Sequence, residues 1–182
     1  MQIDDTDRLQ FHFIDESDAE FLWELGQDEA VMQYINGGKK TTREDVESVF
    51  LPRLKAFSNP SLGWGLWRVD LKDTGEKMGW ILVRPFGFFS ASPDPDNIEL
   101  GWRFMRAYWG NGYAVEAVKQ VQDALIELGV QKFSAIADPK NTRSVRVMEK
   151  LGMQYKGTER YTDELYDGDV VVYEQVLHHF SR

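Results

Sequence analysis

Between residues 8 and 14, apolar Leu9, Phe11 and Phe13 alternate with Gln10 and His12, the two-residue period of a half-buried strand. Ser17 then opens a helical stretch in which Asp18 and Glu20 suit the positive end of a helix dipole. A second helix is predicted over 42–57, where Val46, Val49, Phe50 and Leu54 share one face, and Pro52 within it predicts a kink or a split. Strand character returns at 64–71 and 77–86, on either side of a Lys-Asp-Thr-Gly-Glu hairpin turn. Residues 87–97, with Pro93 and Pro95, read as a loop long enough to rim a site. Over 98–105 a further strand carries Ile98, Leu100, Trp102 and Phe104 on one face, with Glu99, Gly101 and Arg103 on the other.

From Asn111 the period lengthens to 3.6. Ala114, Ala117, Val118, Val121, Ala124, Leu125 and Leu128 form one apolar stripe, and Gly129 stands where a helix C-terminal glycine belongs. A short strand follows at 132–137. Asn141 then caps a helix through Val145, Val147, Met148 and Leu151, stopped by Gly152. Two strands, near 153–161 and 170–177, close the chain around Asp167-Gly168-Asp169. The order β-α-α-β-β-β-α-β-α-β-β predicts a mixed α/β (α+β) fold with a largely antiparallel sheet. No linker or repeat divides it, so one domain over 1–182 is expected.

Composition narrows the chemistry. Lys+Arg 21 against Asp+Glu 30 leaves a net charge of −9, which disfavours general nucleic-acid binding. The chain has no cysteine, which removes disulfides, zinc-thiolate sites and cysteine nucleophiles. The longest run without a charged side chain, 56–67, is well short of the ~20 residues of a membrane span. The polar, acidic amino terminus does not resemble a secretory leader, so a soluble, cytoplasmic protein is expected, with no membrane partner. His12, His178 and His179 have no ligand partners at metal-binding spacing, and no metal is expected.

Two segments carry candidate chemistry. In Leu100–Ala117 an amphipathic strand runs into Gly110-Asn111-Gly112, which opens the periodic helix. The glycines permit a tight turn and close approach of a ligand, and the unpaired amides of the first helical turn suit a pyrophosphate. Alone, the same glycines serve a plain strand-to-helix turn. Asp138–Met153 is, alone, a helix capped by Asn141 with Ser144 in its first turn.

Together the two segments, Gly110-Asn111-Gly112-Tyr113-Ala114-Val115-Glu116-Ala117 and Asn141-Thr142-Arg143-Ser144 through Glu149-Lys150-Leu151-Gly152-Met153, resemble the GNAT superfamily of acyl-CoA-dependent N-acetyltransferases. Tyr108-Trp109-Gly110-Asn111-Gly112-Tyr113-Ala114, the opening Thr6-Asp7-Arg8-Leu9-Gln10-Phe11 and Glu29-Ala30-Val31-Met32-Gln33-Tyr34-Ile35 look most like its RimJ/RimL-type branch. The resemblance covers nearly the whole chain. It implies a splayed pair of strands in the central sheet, with acetyl-CoA as co-substrate. The backbone of Trp102, Arg103 and Phe104 would then pair with the pantetheine arm, and the amides of Trp109, Gly110, Asn111, Gly112, Tyr113 and Ala114 would hold the pyrophosphate. Asn141 matches a position that hydrogen-bonds pantetheine, and Arg146 would reach the nucleotide end.

Two departures stand out. Ala107 occupies a place where many members carry Gln or Arg, with Arg106 next door, and Met148 stands where many carry a tyrosine proton donor. A thioether cannot donate a proton, so Ser144 or a water is left for the departing thiolate. The amine acceptor must lose a proton before it attacks a thioester, and Glu99 and Glu164 are the candidate bases. Arg84 is either an edge charge or a cleft residue. Glu159, Asp163, Glu164, Asp167 and Asp169 suit either a cationic acceptor or a solvated hairpin rim.

The expected activity is acetyl transfer to a primary amine, on a protein N-terminus or a small molecule, by direct attack in a ternary complex of a monomer or homodimer. A non-catalytic acyl-CoA-binding or sensory protein is the alternative. A nucleotide-binding module of another class lacks support, since no Walker-type lysine follows Gly112.

Overall fold

Leu9 of β1 (Leu9–Phe13) faces inward and pairs with Leu71 at the end of β2 (Gly65–Leu71). That antiparallel ladder continues through β3 (Lys77–Phe86) and β4 (Asp94–Phe104). The computed structural model describes residues 1–178, so His179 lies outside the described residues. Beyond β4 come β5 (Lys132–Ala137) and the hairpin β6 (Gln154–Thr162) and β7 (Asp167–Val176). The seven strands lie in the order β1-β2-β3-β4-β5-β7-β6, antiparallel except where β5 runs parallel to β4. The class is the mixed α/β, mostly antiparallel arrangement expected from the sequence.

One face of the sheet buries Val69, Ile81, Val83, Ile98 and Leu100 against α5 (Tyr113–Glu127) and α6 (Thr142–Lys150). Ala117, Val118, Val121 and Leu125 supply the inner stripe of α5 with no exposure. Leu128, placed on that stripe by periodicity, is instead half exposed, because the helix ends at Glu127 and the chain turns through Gly129 at φ 93°. Gly152, at φ 81°, ends α6 as expected.

The other face carries α1 (Ala19–Leu25), α2 (Glu29–Asn36), α3 (Arg43–Asp45) and α4 (Leu51–Phe57) around Phe21, Leu25, Met32, Leu54 and Phe57. Helix α2 has no counterpart among the elements that the sequence pattern predicts. Its eight residues offer one short apolar patch, Val31, Met32 and Ile35, and its ends are fixed by Asp28 accepting from the Ala30 N–H and by Gly37 at φ 80°. The predicted 42–57 helix divides: between α3 and α4 a π-helical segment, Val46–Phe50, ends with the Leu51 N–H donating to Val46, five residues back. That wider turn places Pro52, which has no N–H to give, in the first turn of α4. Strand β4 begins at Asp94, so the 87–97 loop is shorter than predicted. The final turn falls at 163–166 rather than at 167–169, because the Asp163 carboxylate accepts from the N–H groups of Leu165 (2.8 Å) and Tyr166 (3.0 Å) and the Asp163 N–H closes onto the Tyr166 carbonyl.

Candidate active site

Strands β4 and β5 pair only at Ile98–Phe133 and Glu99–Ser134. Past Glu99, β4 stays with β3 while β5 turns to β7, so the sheet opens into a wedge. The Ser134 hydroxyl donates to the Asn97 side chain at 2.9 Å and pins the point of divergence. A cleft of about 560 Å³ occupies the wedge and extends under α1–α4.

One end of the cleft is the glycine loop. Gly110 and Gly112 sit at φ 79° and 77°, conformations that favour glycine. A Cβ at Gly110 would meet nothing within 4 Å, and one at Gly112 only the Arg8 guanidinium at 3.9 Å, so it is the backbone conformation and not crowding that calls for glycine; both residues line the cleft. Helix α5 starts at Gly112 without a side-chain cap, leaving its first-turn amides for an acceptor group from outside. Arg143, Arg146 and Lys150 of α6 line the cleft here, with Arg143 stacked on Trp109 at 3.6 Å. Fifteen helical residues, uncapped amides and three cations suit the pyrophosphate and nucleotide of a coenzyme A. Trp102, Arg103, Phe104, Trp109, Tyr113, Ala114, Asn141 and Ser144 all line the same cleft. Asn111 does not: its side chain turns back to the carbonyls of Tyr108 and Trp109. Asn141 accepts from the Ser144 N–H at 3.3 Å, as a cap should.

The other end is built on three rungs of the β3–β4 ladder, Arg84–Glu99, Leu82–Gly101 and Trp80–Arg103, all of which line the cleft. Arg84 donates through Nε to Glu99 Oε2 at 2.9 Å and through Nη2 to Oε1 at 3.3 Å. Glu99 is 5% exposed, because the strand face opposite Ile98 and Leu100 is roofed by helices and not by water. Burial works against the Arg84 charge, but the attraction and hydrogen bonds of Glu99 outweigh it and hold its pKa above the ordinary value. Arg84 thus belongs to the cleft.

Nearby, Tyr161 donates to Asp163 Oδ2 at 2.8 Å, and Arg53 donates to the same oxygen at 3.0 Å. Burial, followed by the negative charge of Glu99 and the bond to Asp163, pushes the Tyr161 phenol well up. Burial tends to raise Asp163, but the Leu165 N–H, the Tyr161 hydroxyl and Arg53 together keep it below the usual carboxylate range. Glu164 is not among the residues that line the cleft; its side chain is 61% exposed and lies 3.8 Å from Arg53. Of the five acidic residues of the hairpin, only Asp163 lines this cleft, and Arg53 already neutralises it. Arg106 pairs with Asp28 at 2.9 Å outside the cleft, and Met148 is fully buried in the core. Arg53 and Tyr161 carry no sequence signal for the cleft: nothing in the spacing of α4 or β6 says that this helix and this strand converge on one wedge.

Residues 8–154 match the family model described as an acetyltransferase (GNAT) domain. The uncharacterized protein YkkB of Bacillus subtilis (strain 168) is 33% identical over 174 residues, which span 93% of each chain. An acetyltransferase (GNAT family) structure from Bacillus anthracis superposes with a TM-score of 0.74 at 27% identity, over 97% of this chain and 98% of that one. The structure of AAC(6')-Ib with ribostamycin and coenzyme A gives a TM-score of 0.75 at 21% identity, over 93% and 94% of the two chains. With this match over most of its length and a strand wedge ending in an open glycine loop, the chain belongs to the GNAT family of acetyltransferases, enzymes that use acetyl-CoA to acetylate nitrogen.

Proposed function

We propose that this acetyltransferase moves the acetyl group of acetyl-CoA directly to a primary amine in a ternary complex, with Glu99 taking the amine proton. The observation that carries the reading is the position of Glu99 at the apex of the wedge, buried and cleft-facing, on the strand that leads to the glycine loop. The bound co-substrate supplies a thioester carbonyl: the N–C bond forms, the C–S bond breaks, and the sulfur leaves with the electron pair. A chain without cysteine has no thiol with which to form an acyl-enzyme, which favours direct attack.

The residues divide the remaining work. The uncapped amides of α5 and the loop of Trp109, Gly110, Asn111, Gly112, Tyr113 and Ala114 hold the pyrophosphate, while Arg143, Arg146 and Lys150 face the nucleotide end. The edge of β4 at Trp102, Arg103 and Phe104 has no strand partner on its β5 side, and this leaves backbone groups for the pantetheine arm and for the developing oxyanion. Glu99, oriented by Arg84, accepts the amine proton directly or through water. The Ser144 hydroxyl lines the cleft and has no hydrogen-bond partner among the described residues, so it is free to donate to the departing thiolate. The RimJ/RimL-like phrases in the sequence favour a protein N-terminal amine as acceptor, whereas the aminoglycoside bound beside coenzyme A in the AAC(6')-Ib structure favours a small-molecule amine.

Thiol release from acetyl-CoA, followed with a panel of small amines and peptides, tests the reading. Amine-dependent release that disappears in Glu99→Gln supports it. Tight acetyl-CoA binding without turnover of any amine would mark a sensor instead.

A further inference from the structure

The charges at the two ends of the cleft do not balance in the same way. At the apex end, Arg84 is answered by Glu99 and Arg53 by Asp163. Arg103, on the same face of β4 and four residues from Glu99, has no such answer. Its guanidinium lies over the Trp80 ring at 5.0 Å, and its one polar contact among the described residues is the Met32 sulfur at 3.9 Å. Burial alone lowers its pKa to about 10. A half-buried guanidinium with no carboxylate partner keeps part of its desolvation cost, which the face of the Trp80 ring offsets only in part. The protein as a whole carries a charge of −9, yet this part of its cleft retains one uncompensated positive charge.

We propose that the acceptor carries an anionic group, a carboxylate in the simplest case, in addition to its amine, and that Arg103 receives it. This deepens the acceptor half of the function proposed above and rests on it. The floor between the two groups fits such a molecule. Glu99, Gly101 and Arg103 share one face of β4, about 13 Å from end to end at ~3.3 Å per residue. The middle rung carries no side chain on β4, and a Cβ added at Gly101 would crowd the Leu82 side chain at 3.2 Å. An acceptor lying along this floor presents its amine to Glu99 and its anion to Arg103, so the one cation here that no carboxylate answers gains a counter-charge. A simple cationic amine leaves Arg103 unanswered and adds a like charge. The acidic hairpin supplies no alternative site for such a cation inside the cleft, because its one cleft-lining carboxylate, Asp163, is taken by Arg53.

The test compares matched amines in thiol release from acetyl-CoA: L-amino acids against their amides, and ω-amino acids against alkylamines of equal length. Acids are expected to exceed their neutral partners at least tenfold in kcat/KM, mainly through KM. Arg103→Gln should reduce that preference to less than twofold, and Arg103→Lys should restore part of it. Equal or better use of the neutral partners by the wild type overturns the proposal whatever the variants do. So does a preference that survives in Arg103→Gln. A loss of acetyl-CoA affinity in Arg103→Gln, measured by direct titration and absent with dephosphorylated coenzyme A, would assign the anion to the nucleotide and likewise overturn it. If peptides or neutral amines are acetylated and no carboxylate-bearing amine is, acetyl transfer stands and this inference fails. If acetyl-CoA binds and no amine at all is acetylated, both fail together.

Discussion

Arg84 and Glu99 face each other on adjacent strands as cross-strand partners, with two N–H groups of the guanidinium on the two carboxylate oxygens and both residues buried. A two-point contact fixes the plane of the carboxylate as well as its position. It therefore sets which oxygen lone pairs point into the cleft, and with them the direction from which a proton can arrive. Arg84 is a positioning residue for the proposed base.

Glu99→Gln keeps the size of the side chain and removes proton acceptance. The expected loss in kcat/KM near pH 7 is about 10²–10⁴, the usual worth of a positioned base. The defect should shrink as pH rises towards 8 for an α-amino acceptor, or 10 for a lysine-like one, because the amine then deprotonates unaided. Glu164→Gln, at an exposed site off the cleft lining, should change KM slightly at low salt and leave the pH profile intact. Rate profiles for both variants against pH decide the matter, and a pH-dependent defect confined to Glu164→Gln would reverse the assignment.

Gly112→Glu adds a carboxylate to a loop that lines the cleft and forces a side chain into a φ of 77°. At least a tenfold loss of acetyl-CoA affinity is expected, about 1.4 kcal/mol. Titration of the folded variant with acetyl-CoA measures it, and unchanged affinity would remove the pyrophosphate from this loop.

How far the sequence reveals this site depends on the kind of signal. The glycine loop, α5, Asn141 and α6 are local features, written in spacing and capping residues, and the structure puts them where the spacing does. Glu99 illustrates the limit. Alternation correctly separates it from Ile98 and Leu100, but whether the second face meets water or helices depends on α1–α4, which lie 42 or more residues earlier in the chain. The partnership of Arg53 with Asp163 spans 110 residues and has no local signature. Helix α2 is too short for its period to register, and its identity rests on a capping aspartate and a terminal glycine.

Asp163 organises the β6–β7 turn through two backbone N–H groups and joins it to Arg53, and its folded pKa lies below the ordinary value. The stability this contributes is complete above the unfolded pKa, near 3.9, and is lost as pH falls through the folded value. Asp163→Asn should therefore be less heat-stable than the wild type by a constant margin above about pH 5, and the margin should narrow as pH falls below about 4. Thermal midpoints of the two proteins across that range test it, and a margin independent of pH would mean that the carboxylate charge contributes nothing.

Ser144→Ala removes the one hydroxyl without a partner that, among the described residues, the α6 end of the cleft offers for the thiolate, and leaves the Asn141 cap on the backbone N–H intact. A thiolate is a good leaving group, so a fall in kcat of about ten- to a hundredfold is expected, at the low end of general acid catalysis. Acetyl-CoA affinity should fall much less than kcat does. Full turnover at every pH would hand the role to water.

Arg8 ties the amino-terminal strand to the loop that holds the co-substrate. Its Nε donates to Glu116 Oε2 at 2.8 Å, its Nη1 donates to the Asn111 carbonyl at 3.2 Å, and its guanidinium lies over the Tyr113 ring at 4.4 Å. The Thr6 hydroxyl donates to the other Glu116 oxygen at 2.7 Å. Burial tends to raise Glu116, but these bonds outweigh it and hold the carboxyl low. Arg8→Met keeps the apolar stem over Tyr113 and removes every donor. Because the Arg8 side chain is 44% exposed, the latch is weak, in the range of about 0.2–1 kcal/mol for a surface ion pair. The expected effect is a two- to fivefold rise in the acetyl-CoA dissociation constant at low salt. At about 1 M salt, screening should bring the wild type towards the variant. The wild type alone should also lose this advantage in acid, as pH falls through the depressed Glu116 value. Equal affinities at low salt would mean that the left-handed glycines by themselves hold the loop open, and that Arg8 serves only to anchor β1.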